Sequence, residues 1–71
     1  MLNIEDLLFF IEVVDAGTFY LAARRLKVSI GTVSNRLTRL ENSLKVKLVK
    51  VSTRGLAITD EGVFLYEKTV L

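Results

Sequence analysis

Two apolar series separated by only three residues constrain this chain most. Phe19, Ala22, Ala23 and Leu26 recur at helical spacing, and so do Val33, Leu37, Leu40 and Leu44. Between them lies Lys27-Val28-Ser29. Two helices joined so tightly must cross steeply rather than run side by side. The small Ala22 and Ala23 allow close approach at that crossing, and Val28, the one apolar residue of the connection, is expected to plug the core between the helices. Thr18 and Ser29 stand where N-caps are needed, which places the helices at about 19–26 and 29–44.

The remaining patterns complete a small mixed unit. An N-terminal helix is predicted from Asn3 or Ile4, capped by Asn3, stapled by Leu2 and Leu7, and stopped by Gly17. Leu7, Phe10, Ile11 and Val14 form its buried stripe. From Val46 the apolar period shortens to two: Val46, Leu48 and Val49 lead up, Leu56 and Ile58 return, and Ser52-Thr53-Arg54-Gly55 is the polar turn of a hairpin. Thr59, followed by Asp60 and Glu61, opens a last helix. The fold class is therefore mainly α: a three-helix core, a two-stranded β wing and a C-terminal helix. We divide it at residues 1–58 for the winged helix-turn-helix and 59–71 for the start of the last helix.

Seventy-one residues bound this to one small domain. The chain has no cysteine and no histidine. That removes disulfides, the common zinc sites and Ser–His or Cys–His nucleophile pairs. No enzyme, metal or cofactor is expected. The apolar run Leu7–Ile11 is far short of the roughly 20 residues that cross a bilayer. No basic leader precedes it, so a cytoplasmic protein without a membrane partner is expected.

The net charge of +2 conceals a strong asymmetry. Residues 1–23 hold four acids and no base, whereas residues 24–55 hold nine bases and one acid, a net +8. A concentrated basic block is the electrostatic footprint of a polyanion partner. Helix, tight turn, helix is also a DNA-binding geometry, since the major groove, about 12 Å wide, admits the second helix. Its first two turns offer Thr32, Ser34, Asn35 and Arg36; Asn can pair with adenine and Arg with guanine. Arg54 at the wing tip suits a minor groove, and Lys47 and Lys50 suit phosphates.

Phe19-x-x-Ala22-Ala23-Arg24-Arg25-Leu26-x-Val28-Ser29, then Val33-Ser34-x-x-Leu37-x-x-Leu40-Glu41, resembles the N-terminal domain of LysR-type transcriptional regulators. The pattern continues through Leu44-x-Val46-x-Leu48, Arg54-Gly55 and Leu56-x-Ile58-Thr59-x-x-Gly62. The resemblance implies base readout by Ile30, Gly31, Ser34 and Asn35, with Thr32 and Arg36 beside them. It implies backbone contacts from Thr18 and Arg39, and a minor-groove role for Arg54. Members are longer, pair as dimers or tetramers through the linker helix, and take a small-molecule effector in a further domain. That implies a dimer surface at Phe64, Leu65, Val70 and Leu71, and a chain that is a fragment of a longer regulator.

The chain also departs from the family pattern. Ile30-Gly31 stands where Gln-Pro is common, which replaces a hydrogen-bonding contact by an apolar one. Asn35 replaces a frequent Arg and shifts the expected preference from guanine towards adenine. Lys45 occupies the place of a helix-ending Gly, which predicts a strained cap. Lys50-Val51 replaces a frequent Glu-Arg pair. The alternative function is a winged helix used only for protein contact or dimerisation; exposure of Leu21 and Ile30 would favour it.

Overall fold

The structure is a computed structural model that describes residues 3–70. Helix α1 spans Ile4–Ala16, α2 Phe19–Leu26 and α3 Ile30–Leu44; strands β1 (Val49–Ser52) and β2 (Gly55–Ile58) follow, then helix α4, Asp60–Thr69. The strands pair antiparallel from Val49↔Ile58 to Ser52↔Gly55, leaving Thr53 and Arg54 as a two-residue turn. The expected winged helix-turn-helix is therefore present.

Each helix starts where a side-chain oxygen can accept from an otherwise unpaired N–H. Asn3 Oδ1 accepts from Glu5 and Asp6, Thr18 Oγ1 from Leu21, Ser29 Oγ from Thr32 and Thr59 Oγ1 from Gly62. The predicted staple rests on Leu2, which lies outside the described residues. The helix ends are equally local. Gly17 (φ 86°) closes α1, while Lys27 (φ 60°) and Lys45 (φ 59°) close α2 and α3 in the left-handed region. In both lysine turns the following N–H, from Val28 or Val46, reaches back to Ala23 or Glu41 carbonyl oxygen. Lys45 thus carries the strain expected of a missing Gly, and Lys27 carries it as well.

The core has two adjoining parts. Phe10, Leu37, Leu40, Leu48 and Val49 form one; Val13, Ala22, Ala23 and Val33 form the other. Several expectations need correction. Val13 is fully buried although its neighbours Ile11 and Val14 are only partly so, because α1 packs against α2 and α3 at once. Val28 does not plug the core: it is 36% exposed, and the lysine turn uses its N–H rather than its side chain. Leu44 is also 36% exposed, one turn beyond the helix crossing. Residues 46–48 are not strand. There Glu41, buried on α3, accepts from the N–H groups of Leu48 and Val49 with one carboxylate oxygen (2.8 and 3.3 Å). That carboxylate takes the place of a strand partner and turns Leu48 into the core.

One ion cluster ties α1 to α3. Asp6 is 1% exposed. Its two oxygens accept from Arg39 Nε (2.7 Å) and Nη2 (2.8 Å), and Arg36 Nη1 lies 3.3 Å from Oδ1. The Arg39 hydrogen bonds hold the Asp6 carboxyl below the ordinary carboxylate range, against the opposing effect of its burial. Stability from such a lowered group is complete above its unfolded pKa, near 4, and is lost as pH falls through the folded value. Asp6→Asn is expected to destabilise the neutral-pH fold by about 1.5–3 kcal/mol. The lower end is favoured because the Arg39 side chain is 55% exposed. The variant is also expected to lose less stability than wild type on acidification below about pH 4; urea titrations at neutral and acid pH measure both effects.

Gly62 packs α4 across the root of the wing. A Cβ there would overlap the Leu48 carbonyl oxygen and come within 2.7 Å of Ile58 Cγ2. At Gly31 a Cβ would meet only Ser29 Oγ, at 3.8 Å. Gly62→Ala is expected to lower stability by about 1–3 kcal/mol despite the better helix propensity of alanine. Gly31→Ala is expected to be neutral or mildly stabilising, and thermal denaturation of the two variants side by side checks the contrast.

Candidate nucleic-acid interface

Helix α3 gives Val33, Leu37, Leu40 and Glu41 to the interior, which fixes what its other faces can do. At about 100° per residue, Ile30, Ser34, Thr38, Gly31 and Asn35 fall within an arc of about 140°. Thr32, Arg39 and Arg36 lie on the opposite flank. The expected readers are thus divided between two faces.

On the first face, Ile30 is 48% exposed, and Gly31, Asn35 and Thr38 are exposed as well. Ser34 is half-buried at the edge of a cleft of about 560 Å³ between α3 and β1. Ser34 and Thr38 supply hydroxyls to one wall; Lys47 and Lys50 belong to the other. Glu41 also lines the cleft and lies 3.8 Å from Lys47 Nζ, so the hydroxyls and Lys50 are the groups there that suit a phosphate chain. Thr38 was not singled out in the sequence. Its signal was the helical wheel, which puts it one turn after Ser34.

The second face is already occupied. The Thr32 hydroxyl lies 2.9 Å from Ser29 Oγ, as part of the N-cap. Arg36, expected among the base readers, donates to Glu5 (2.5 Å) and lies over the Phe9 ring at 5.2 Å. These bonds, Glu5 first and Asp6 second, raise its pKa further above its ordinary value. Arg39, expected on a phosphate, forks onto Asp6, although its side chain stays half exposed. Sequence spacing did not reveal these pairings, because the acids involved lie about 30 residues away.

The same counterbalance runs through the basic block. Arg25 pairs with Glu12 at 3.3 Å, and Lys47 Nζ lies 3.8 Å from Glu41. Arg24 donates to the Tyr20 hydroxyl and stacks on its ring. The wing tip is different. The backbone of Arg54 is held by Ser52 Oγ, which accepts from its N–H, and its guanidinium makes no hydrogen bond or ion pair among the described residues. Gly55 beside it adopts φ 116°, which keeps the turn tight. Thr18 is exposed at the start of α2; its oxygen caps Leu21 and its O–H can still donate.

Helix α4 sits apart from these groups. Tyr66 donates to Asp15 of α1, which raises the tyrosine pKa, and Leu65 is half-buried against the core. Leu65 therefore belongs partly to the core rather than wholly to a surface. Val63, Phe64 and Val70 are 44%, 63% and 48% exposed. Leu71 lies outside the described residues. Among the described residues no helix is long and apolar enough to cross a membrane, and no group of three or more acidic, His or Cys side chains could hold a metal.

Comparison with known proteins gives this geometry a context. Residues 4–63 match the family model described as bacterial regulatory helix-turn-helix protein, lysR family. The chain is 40% identical over 58 residues to the HTH-type transcriptional activator AaeR of Escherichia coli K12, which covers 82% of this chain and 19% of that protein. It spans about a fifth of the length of the curated relatives it matches. It superposes on the CbnR DNA-binding domain solved in complex with DNA with a TM-score of 0.89 at 34% identity, over 94% of this chain and 77% of that one. The BenM DNA-binding domain with its benA site 1 DNA gives a TM-score of 0.88 at 28% identity, over 94% and 78%. With the capped helix pair, the exposed leading face of α3 and the basic wing already in place, the chain belongs to the LysR family of bacterial regulatory helix-turn-helix proteins, and the domain it forms is the winged helix with which that family binds DNA.

Proposed function

We propose that this chain is the sequence-reading head of a transcription regulator, with α3 in the major groove and the wing at an adjoining minor groove. The observation that carries this reading is the outward arc of exposed Ile30, Gly31, Asn35 and Thr38 with half-buried Ser34, bordered by a cleft that Lys50 lines and by Arg54, which makes no ion pair among the described residues. Asn35, exposed at the outer edge of that arc, carries its only side-chain amide, and an adenine matches that amide. Ser34, Thr38 and Lys50 hold one phosphate strand in the cleft, and Thr18 holds another at the start of α2. We assign the chain up to residue 58 to the head, and α4 to the beginning of a linker helix.

Two copies pair through α4. Its exposed Phe64 and Val70 support this, as does an apolar groove of about 480 Å³ lined by Leu44, Val46, Leu48 and Phe64. A small-molecule effector would act through a further domain of the longer regulator, in the bacterial cytoplasm. The second reading is a winged helix devoted to protein contact. It draws on Ile30 and Leu21, 48% and 43% exposed. A salt titration of duplex binding separates the two. A DNA head loses affinity with a log–log slope of about −0.9 per phosphate contacted, and absence of duplex binding at low salt by the dimer rejects it.

Duplexes selected from a random pool then test individual side chains. Asn35→Ala is expected to cost about 1–3 kcal/mol at particular base pairs only, whereas Arg54→Ala weakens all sequences and flattens the salt slope by about one. Equal loss on every sequence for Asn35→Ala would remove it as a reader. Phe64→Glu is expected to convert dimer to monomer in sedimentation analysis, and an unchanged mass refutes the pairing role.

A further inference from the structure

The second flank of α3 contains a device that DNA reading alone does not explain. Arg36 lies in the second turn of α3, directly after Asn35, yet its guanidinium is turned back onto α1. Three groups hold it: Glu5 at 2.5 Å, Asp6 at 3.3 Å and the Phe9 ring. They are not equal. Both Asp6 oxygens are already engaged at short distance by Arg39, so Asp6 has little left to give. Glu5 is the dominant partner, and its side chain is 63% exposed.

An exposed carboxylate is a weak anchor for the fold, since solvent-exposed ion pairs contribute about 0–1 kcal/mol. It is a strong influence on a polyanion. A guanidinium paired with a carboxylate contributes no net charge to a nearby phosphate, and the carboxylate itself repels the phosphate. Asp6 has an evident packing role, because it is buried and binds α1 to α3. Glu5 has none of that burial.

We propose that Glu5 is an electrostatic brake: by holding Arg36 against α1, it lowers the affinity of this chain for DNA of any sequence and so raises the share of binding that depends on base readout. The proposal rests on the DNA-binding reading above. Arg36 is a latent phosphate contact that the α1 acid keeps out of use. Nonspecific affinity comes almost entirely from phosphate neutralisation, so one cation withheld lowers it selectively.

The test compares Glu5→Gln with wild type on a random-sequence duplex and on the best duplex from the selected pool. Glu67→Gln, which removes the same charge from exposed α4 without touching an arginine, is the control. For Glu5→Gln the salt slope on the random duplex is expected to steepen by about 0.9, so the variant loses about 3.5-fold more affinity than wild type between 50 and 200 mM salt. At low salt it binds the random duplex more tightly, and its preference for the selected duplex narrows. Glu5→Gln/Arg36→Gln is expected to return to the wild-type slope. Circular dichroism melting establishes that each variant is folded. A Glu5→Gln slope equal to that of Glu67→Gln overturns the brake, as does a double variant that keeps the steeper slope. A wild-type chain that binds no duplex overturns the DNA reading itself, and the two failures are therefore distinct.

Discussion

The union of α1 with α3 through Asp6 is the contact on which the rest of the structure depends. It sits at the edge of a very small core, where few apolar side chains are available to fix one helix against another. A buried carboxylate that accepts from Arg39 and lies beside Arg36 sets both the distance and the rotation of α3. Once that rotation is set, Val33, Leu37 and Leu40 meet the core, and the arc from Ile30 to Asn35 faces outward. The reading surface is thus a consequence of how α3 is held from behind.

A second carboxylate performs the corresponding task for the wing. Glu41 points inward from α3 and accepts from the backbone of Leu48 and Val49. That delays the start of β1 and directs Leu48 into the core, and Gly62 then lets α4 cross close to Leu48. The hairpin leaves the body from this anchored root and carries Arg54 at its tip. Recognition helix, cleft and wing are held in one frame by two acids whose partners are distant guanidiniums in one case and local N–H groups in the other.

The charge distribution acquires a different meaning in three dimensions. The basic block is not a uniform attractor. Arg25, Arg36 and Arg39 are matched by acids of α1, and Lys47 by Glu41, while Arg24, Lys27, Lys45, Lys50 and Arg54 make no ion pair among the described residues. The field offered to a phosphate backbone is therefore weaker and more localised than the sequence implies. It concentrates on the wing and on the helix ends, where a groove-following partner would meet it.

Much of the fold was legible in the chain because its determinants are local. Asn3, Thr18, Ser29 and Thr59 cap helices through hydrogen bonds two or three residues away, and the seams of α2 and α3 follow from helical period alone. The strained turn at Lys45 and the outward face of α3 were also evident, as were Asn35 and Arg54 as exposed polar groups. Tertiary structure decided what spacing could not express. Val28 and Leu44 have apolar side chains, but both lie at the margin of the helix crossing. Residues 46–48 alternate like a strand, but the Glu41 carboxylate claims the N–H groups of Leu48 and Val49, and the Glu41 carbonyl that of Val46. Arg36 and Arg39 look like free cations on a helix face until acids some 30 residues earlier are brought against them. Caps and periods are short-range properties of the chain, whereas the state of a charge depends on which opposite charge the fold places within a few ångströms of it.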